Sequence, residues 1–224
     1  MPGSLMLQMA FGVIALGAAV LVVGLVRHAA GGRRALQVAA GIAAWMLITL
    51  LLAAGGVLND FSLPPRLLLV FVPALLAVGV VIFSSAGGVM SSSVSQVWLI
   101  GAQVFRLPVE LAIHQAVVEG VAPPQLSWDG YNLDIVTALT APVAAAIAWR
   151  LPQSRYLLIL WNLVGLGLVL TVVGTAIVSM PTPFQQLKPD NTWIAFPPYV
   201  WLPTVLVMVA LCLHGWSLRK LLKR

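Results

Sequence analysis

The chain has 224 residues, 61% of them hydrophobic and only 8% charged, with a formal net charge of +6 and a mean hydropathy of +1.02. A soluble domain carries about 25% charged residues to wet its surface, so a water-exposed globule is excluded and the partner of most of this surface is a lipid bilayer. The basic residues sit between apolar runs rather than in the dense patch that a phosphate backbone demands, which sets nucleic acid aside.

A hydrocarbon core about 30 Å thick takes roughly 20 apolar residues to cross as helix. Seven runs reach that length: 5–26, 35–57, 65–85, 94–118, 132–149, 155–179 and 194–217. The start, Met1-Pro2-Gly3-Ser4-Leu5, lacks the basic region of a secretory signal, and no small-residue cleavage site follows, so the first run reads as a retained span. The connections are short and rich in turn formers: 27–34, 59–65, the Ser/Gly-rich 84–93, 119–131, Leu151-Pro152-Gln153-Ser154 and 180–193. None holds a domain and no internal repeat is visible. Residues 1–224 are therefore expected to form a single all-α domain, a polytopic transmembrane bundle of seven spans. Cys212 is the only cysteine, so no intrachain disulfide exists from which to read a redox compartment.

Lysine and arginine near span ends set orientation. With the N-terminus outside, Arg27, Arg33, Arg34, Arg150, Arg155, Arg219, Lys220, Lys223 and Arg224 all face inward, against Arg66 and Lys188 outward. That bias predicts a cytoplasmic C-terminus and favours an odd number of spans. In the sixth run Gly167, Thr171, Thr175 and Ser179, with Gly174 beside them, have the small-residue spacing of a helix–helix seam. Trp128, Tyr131, Trp149, Tyr156, Trp193, Tyr199 and Trp216 lie near span ends and read as interfacial anchors.

The fourth run departs from the pattern. At 100° per residue Gln96, Gln103, Arg106, Glu110 and His114 fall within an arc of about 80°. Such a stripe must face the bundle interior, because a charge turned to lipid costs roughly 2.5–3.5 kcal/mol. Arg106 and Glu110 have the i,i+4 spacing of an ion pair, and Pro108 between them frees the Val104 carbonyl and kinks the helix. In the fifth run Asp134 and Thr137 reach the depth of His114. The seventh opens on Pro197, Pro198, Tyr199 and Pro203, a broken outer half at the same level.

Together these predict an outward-facing polar pocket for a small-molecule or ion ligand, lined by Arg106, Glu110, His114 and Asp134, with Gln103 on the same stripe and Tyr199 at the edge. Glu110 and His114 would be the protonatable pair, and Arg106 would hold an anionic group or keep Glu110 ionised. The same residues also describe a sealed ionic network that fixes helix register. Two further readings stay open: an intramembrane enzyme acting on lipid, metal-assisted through Glu110, His114 and Asp134, or a non-catalytic subunit joined through the sixth-span seam. One histidine with two carboxylates is a weak zinc signature, so no metal site is assigned and the cofactor is left unknown. His214 is expected near the inner interface, on the opposite side from His114, which argues against a haem shared by the two. Asn162 is expected to bond across helices. No lysine lies within a span, which excludes retinal attachment.

Phe105-Arg106-Leu107-Pro108-Val109-Glu110 with His114, then Gly130-Tyr131-Asn132-Leu133-Asp134-Ile135, then Pro198-Tyr199-Val200-Trp201-Leu202-Pro203 with His214 resemble a group of bacterial multi-span membrane proteins to which no activity is attached. The resemblance covers roughly the C-terminal half. It implies a bacterial inner membrane and supplies no chemistry.

Overall fold

The computed structural model describes residues 3–151 and 153–223. Met1, Pro2, Pro152 and Arg224, counted above at the start, in a turn and among the inward basic residues, lie outside the described residues. Within these, the chain forms nine α-helices and no strand: α1 (Leu5–Ala30), α2 (Gly32–Ala54), α3 (Leu68–Phe83), α4 (Ser85–Ser93), α5 (Gln96–Gly101), α6 (Arg106–Val118), α7 (Ile135–Arg150), α8 (Arg155–Val178) and α9 (Val207–Leu222).

Local chemistry sets the boundaries. Ser4 starts α1 by accepting the Leu7 N–H on its hydroxyl at 3.1 Å, a standard N-cap. Gly31 ends α1 at φ +84°, a conformation that glycine takes without a Cβ clash, and α2 begins at the next residue to complete a tight hairpin. α5 and α6 are two parts of one rod, Gln96–Val118, joined by a 3-10 turn at Ala102–Phe105. That tightened turn lies just ahead of Pro108, which cannot donate to the helix ladder.

Five helices are long and apolar enough to cross a membrane: Leu5–Ala30, Gly32–Ala54, Gln96–Val118, Arg155–Val178 and Leu202–Leu222; α3 with α4 makes a sixth if the pair, bent by 63°, counts as one. α7, with 16 residues, is apolar but shorter.

Two expectations are corrected. The Ser/Gly-rich 84–93 segment is helical: Ser84 is extended, caps the Gly87 N–H with its hydroxyl, and starts α4. The seventh run was expected from 194, yet 193–201 is an irregular segment, and the last helix starts with a π-helical turn at Leu202–Leu206 and runs to Leu222. Trp193, Ile194, Ala195, Tyr199 and Val200 are buried. Their apolar character reflects a loop packed inside the protein, not contact with acyl chains.

α9 is central, packing on α3, α4, α5 and α8, while α2 leans chiefly on α1. The basic residues at the end of α9 are partly structural. Arg219 donates to the Ile82 and Ser84 carbonyls at the α3–α4 bend, and Lys220 donates to the Ser91, Ser92 and Val94 carbonyls at the end of α4. Cations on the last carbonyls of a helix satisfy groups that lack an intrahelical donor. The seam expected on α8 does not pack within the chain along its full length: Gly167, Thr171 and Gly174 are exposed, and only Thr175 and Ser179 are buried.

Candidate functional site

From Gln96 to Glu110 the polar stripe of the α5–α6 rod turns to partners inside the chain. Gln96 donates to the Ser217 hydroxyl, and Gln103 donates to the Ala210 carbonyl at 3.2 Å. Gln103, Arg106 and Glu110 are all nearly inaccessible.

The expected Arg106–Glu110 ion pair is replaced by a different pairing. Arg106 Nε donates to Asp134 Oδ2 at 2.7 Å, and its Nη2 engages Asp134 Oδ1. This two-pronged fork matches guanidinium to carboxylate geometry better than the single contact an i,i+4 pair could make. Asp134 is held for it by Asn132, whose Oδ1 accepts the Asp134 N–H at 2.9 Å. The two Nδ2 hydrogens of Asn132 go to Glu110 Oε2 at 2.7 Å and to the Leu126 carbonyl at 2.9 Å. The amide is fully used.

The third prong of Arg106, Nη1, meets His214 Nε2 at 3.1 Å. A guanidinium has no acceptor, so Nε2 must accept and the imidazole proton resides on Nδ1. From there it is donated to Asn162 Oδ1 at 3.0 Å, while Asn162 Nδ2 donates to the Leu158 carbonyl at 2.8 Å. The chain Glu110–Asn132–Asp134–Arg106–His214–Asn162 therefore runs unbroken through the interior, from α6 across the loop before α7 to α9 and α8. Gly165 makes room for it. A Cβ at that position would stand 2.6 Å from His214 Cε1 and 2.8 Å from Nε2.

Beside this network lies a cavity of about 80 Å³. By the rough requirement of about 10–15 Å³ per water, it encloses several non-hydrogen atoms. Arg106, Glu110 and Asp134 supply its polar lining, and the rest is apolar, including Phe71, Ile113, Val173, Met180 and Trp193. α3 and α8, which both pack against α9, each contribute part of its wall. Arg106 is spent on Asp134 and His214. Among the described residues Glu110 has no ion-pair partner, and only its Oε2 carries a hydrogen bond.

The predicted site residues therefore divide. Arg106, Glu110 and Asp134 converge on the cavity. Gln103 joins the buried stripe below it without lining it. His114 stands apart: its ring stacks on Trp128 at 4.3 Å, and Nδ1 pairs with Asp129 at 3.2 Å near the surface. Tyr199 is buried in an aromatic cluster with Phe11 and Trp193, at 5.2 and 4.9 Å. Glu110, His114 and Asp134 thus turn to separate partners, and no group of three or more His, Cys, Asp or Glu among the described residues is placed to hold a metal ion.

A family model described as "Domain of unknown function (DUF8737)" matches residues 63–222. The chain belongs to the DUF8737 family. The matched segment contains the whole polar network and the cavity, while α1 and α2 precede it. No curated protein and no solved structure matches the chain.

Sequence reasoning missed His214, Asn132 and Trp193. His214 was placed near the inner interface because the last span was taken to end at 217. The helix in fact continues to Leu222, which puts His214 more than two turns inside it. Asn132, two residues before Asp134, carried the available signal of an Asx turn opening a helix.

Proposed function

We infer that this DUF8737 protein is an integral membrane binding protein for a small amphiphile, serving transport or sensing, with the ligand's donor group on Glu110 and its apolar part along the cavity wall. Glu110 carries the reading. It is a buried carboxylate with one oxygen left over, in a cavity whose other charged lining groups, Arg106 and Asp134, pair with each other. A carboxylate accepts hydrogen bonds and attracts cations, so the complementary head group is an ammonium or another donor. This reverses the role considered for Arg106 in the sequence. An anionic group would find that guanidinium already neutralised by Asp134 and Glu110 repelling it. The apolar walls disfavour a hydrated ion.

The same reading takes the chain as seven spans in a bacterial inner membrane, with the N-terminus outside. What supports the odd count is that Ser4 bonds Glu119 at one end of the α5–α6 rod, whereas Gln96 bonds Ser217 at the other. The two termini then lie on opposite sides, and α7 and the bent α3–α4 pair each count as a crossing.

The test is equilibrium binding of octylamine and octanoate to the protein in lipid nanodiscs, with empty discs subtracted. Octylammonium is expected to bind saturably and octanoate not. Glu110→Gln should weaken octylammonium binding about 10- to 150-fold, the equivalent of a charge-assisted hydrogen bond, while the protein stays folded. Equal binding of both probes, or an unchanged affinity in the variant, would refute the assignment.

A further inference from the structure

A second and larger recess lies on the other side of the bundle. Because α2 leans chiefly on α1, a groove of about 1020 Å³ opens between α2 and α3, with α1, α4 and α9 contributing the remaining walls. Its lining is almost wholly apolar, including Val22, Val26, Ala74, Val78 and Val209. The polar exceptions do not scatter. Thr204 is satisfied by the Val200 carbonyl, and the other hydrophilic side chains, Arg34, Gln37 and Ser85, belong to the first two turns of α2 and the first turn of α4. Arg34 is exposed and has no ion-pair partner among the described residues.

We propose that this groove seats one anionic phospholipid, with its acyl chains along the apolar floor and its phosphate on Arg34. Two observations choose this occupant. The first is charge. Arg27 and Arg33 flank Arg34 in sequence, and of the six carboxylates Asp60, Glu119, Asp129 and Asp190 lie in the loops at the opposite end, while Glu110 and Asp134 belong to the buried network. A phosphate finds a guanidinium to grip as a fork. The ammonium of a choline head would meet only cations. The second is size. At about 1020 Å³ the groove stands at the upper limit of small-ligand pockets, roughly 300–1000 Å³, and its apolar lining extends from Arg34 to Thr204, an elongated shape that suits acyl chains and not a compact polar solute.

The experiment is native mass spectrometry of the full chain taken from nanodiscs of mixed phosphatidylglycerol and phosphatidylcholine. One phosphatidylglycerol should be retained per chain in preference to phosphatidylcholine. Arg34→Gln should lower that retention about fivefold, the effect of one basic residue at an anionic surface, and Arg34→Glu should lower it further. Gly41 lines the groove, and a Cβ there meets nothing within 4 Å, so Gly41→Phe should displace the lipid without disturbing the helices. Indifference to head-group charge, retention unchanged in Arg34→Glu, or a lipid-free dimer that Gly41→Phe dissociates would each overturn the proposal, the last by giving the groove to a second copy of the chain.

Discussion

Replacing Gly165 by alanine tests the buried network at its tightest point. The added methyl would lie 2.6 Å from one imidazole carbon of His214 and 2.8 Å from its Nε2, inside van der Waals contact, so the ring must move away and Arg106 Nη1 loses its acceptor. A hydrogen bond to a charged group contributes about 1.5–3 kcal/mol, and overpacking a filled site costs about 1–3 kcal/mol more. A destabilisation of about 3–5 kcal/mol should appear as a fall in thermal midpoint on the order of 10 °C for a chain of this length, measured in detergent by circular dichroism. Gly167→Ala is the matched control. It lies two residues away on the same helix, and its Cβ would meet nothing within 4 Å, so it should be neutral or slightly stabilising through helix propensity. The decisive arm is the double variant. In a His214→Ala background the extra methyl enters the space the ring has left, and Gly165→Ala should cost far less, with only the Thr137 methyl at 3.1 Å still tight. Additive losses in the double variant, or equal losses at 165 and 167, would refute the argument.

The Arg106–Asp134 fork should behave as a unit. Arg106→Met or Asp134→Leu alone strands a buried charge and should cost about 3–5 kcal/mol, while the double variant should recover most of that loss, as read by unfolding in detergent. At the opposite surface, hydrogen bonds from Gln115 and from the backbone and hydroxyl of Ser4 hold the Glu119 carboxylate below the usual glutamate range. A depressed folded value means that this latch contributes fully above the unfolded value and is lost as pH falls through the folded one. Acidification should therefore lower the protection of the amides at the start of α1, measured as exchange relative to the intrinsic rate at each pH, and Glu119→Gln should leave that protection independent of pH. Protection that does not change with pH in the unmodified chain would contradict the linkage.

How much of this was legible beforehand depends on the element. The α1–α2 hairpin and the inward turn of Arg106 and Glu110 follow from residue order alone, since a 3.6-residue period and the cost of charge in lipid leave few alternatives. The Arg106 pairing was not legible, because the i,i+4 rule describes an isolated helix surface. In the interior a partner from another segment, Asp134, competes with two oxygens instead of one. The last span misled for a different reason. Hydropathy counts Ile194 and Val200 as lipid-facing and the aromatic-anchor rule puts Trp193 at the interface, whereas all three are buried in protein, and a buried loop has the same composition as a membrane helix. That shift in register moved His214 from mid-bundle to the interface. The bend at 84–93 was hidden because serine and glycine signal a turn locally, while the carbonyls that Arg219 and Lys220 cap from α9 become available only once the bundle is assembled.

The remaining question is why Glu110 should be a site rather than a further strut of the network. Within the interior the charges of Arg106 and Asp134 cancel, and His214, Asn132 and Asn162 find partners as neutral groups. Among the charged groups of this interior Glu110 alone lacks an ion-pair partner, while Gln103 Oε1 and Trp193 Nε1 are neutral atoms without a hydrogen bond among the described residues. A chain selected only for a rigid bundle would complete the set with a cation or place glutamine at 110, since a charge buried in a membrane costs roughly 2.5–3.5 kcal/mol. Glutamine at 110 could still accept from Asn132. Glu110→Gln should therefore raise the thermal midpoint while weakening octylammonium binding about 10- to 150-fold, the opposed pair of changes expected where stability is given up for function. If instead the variant melts earlier and binding is unaltered, Glu110 is structural, and the cavity beside it is only a packing defect.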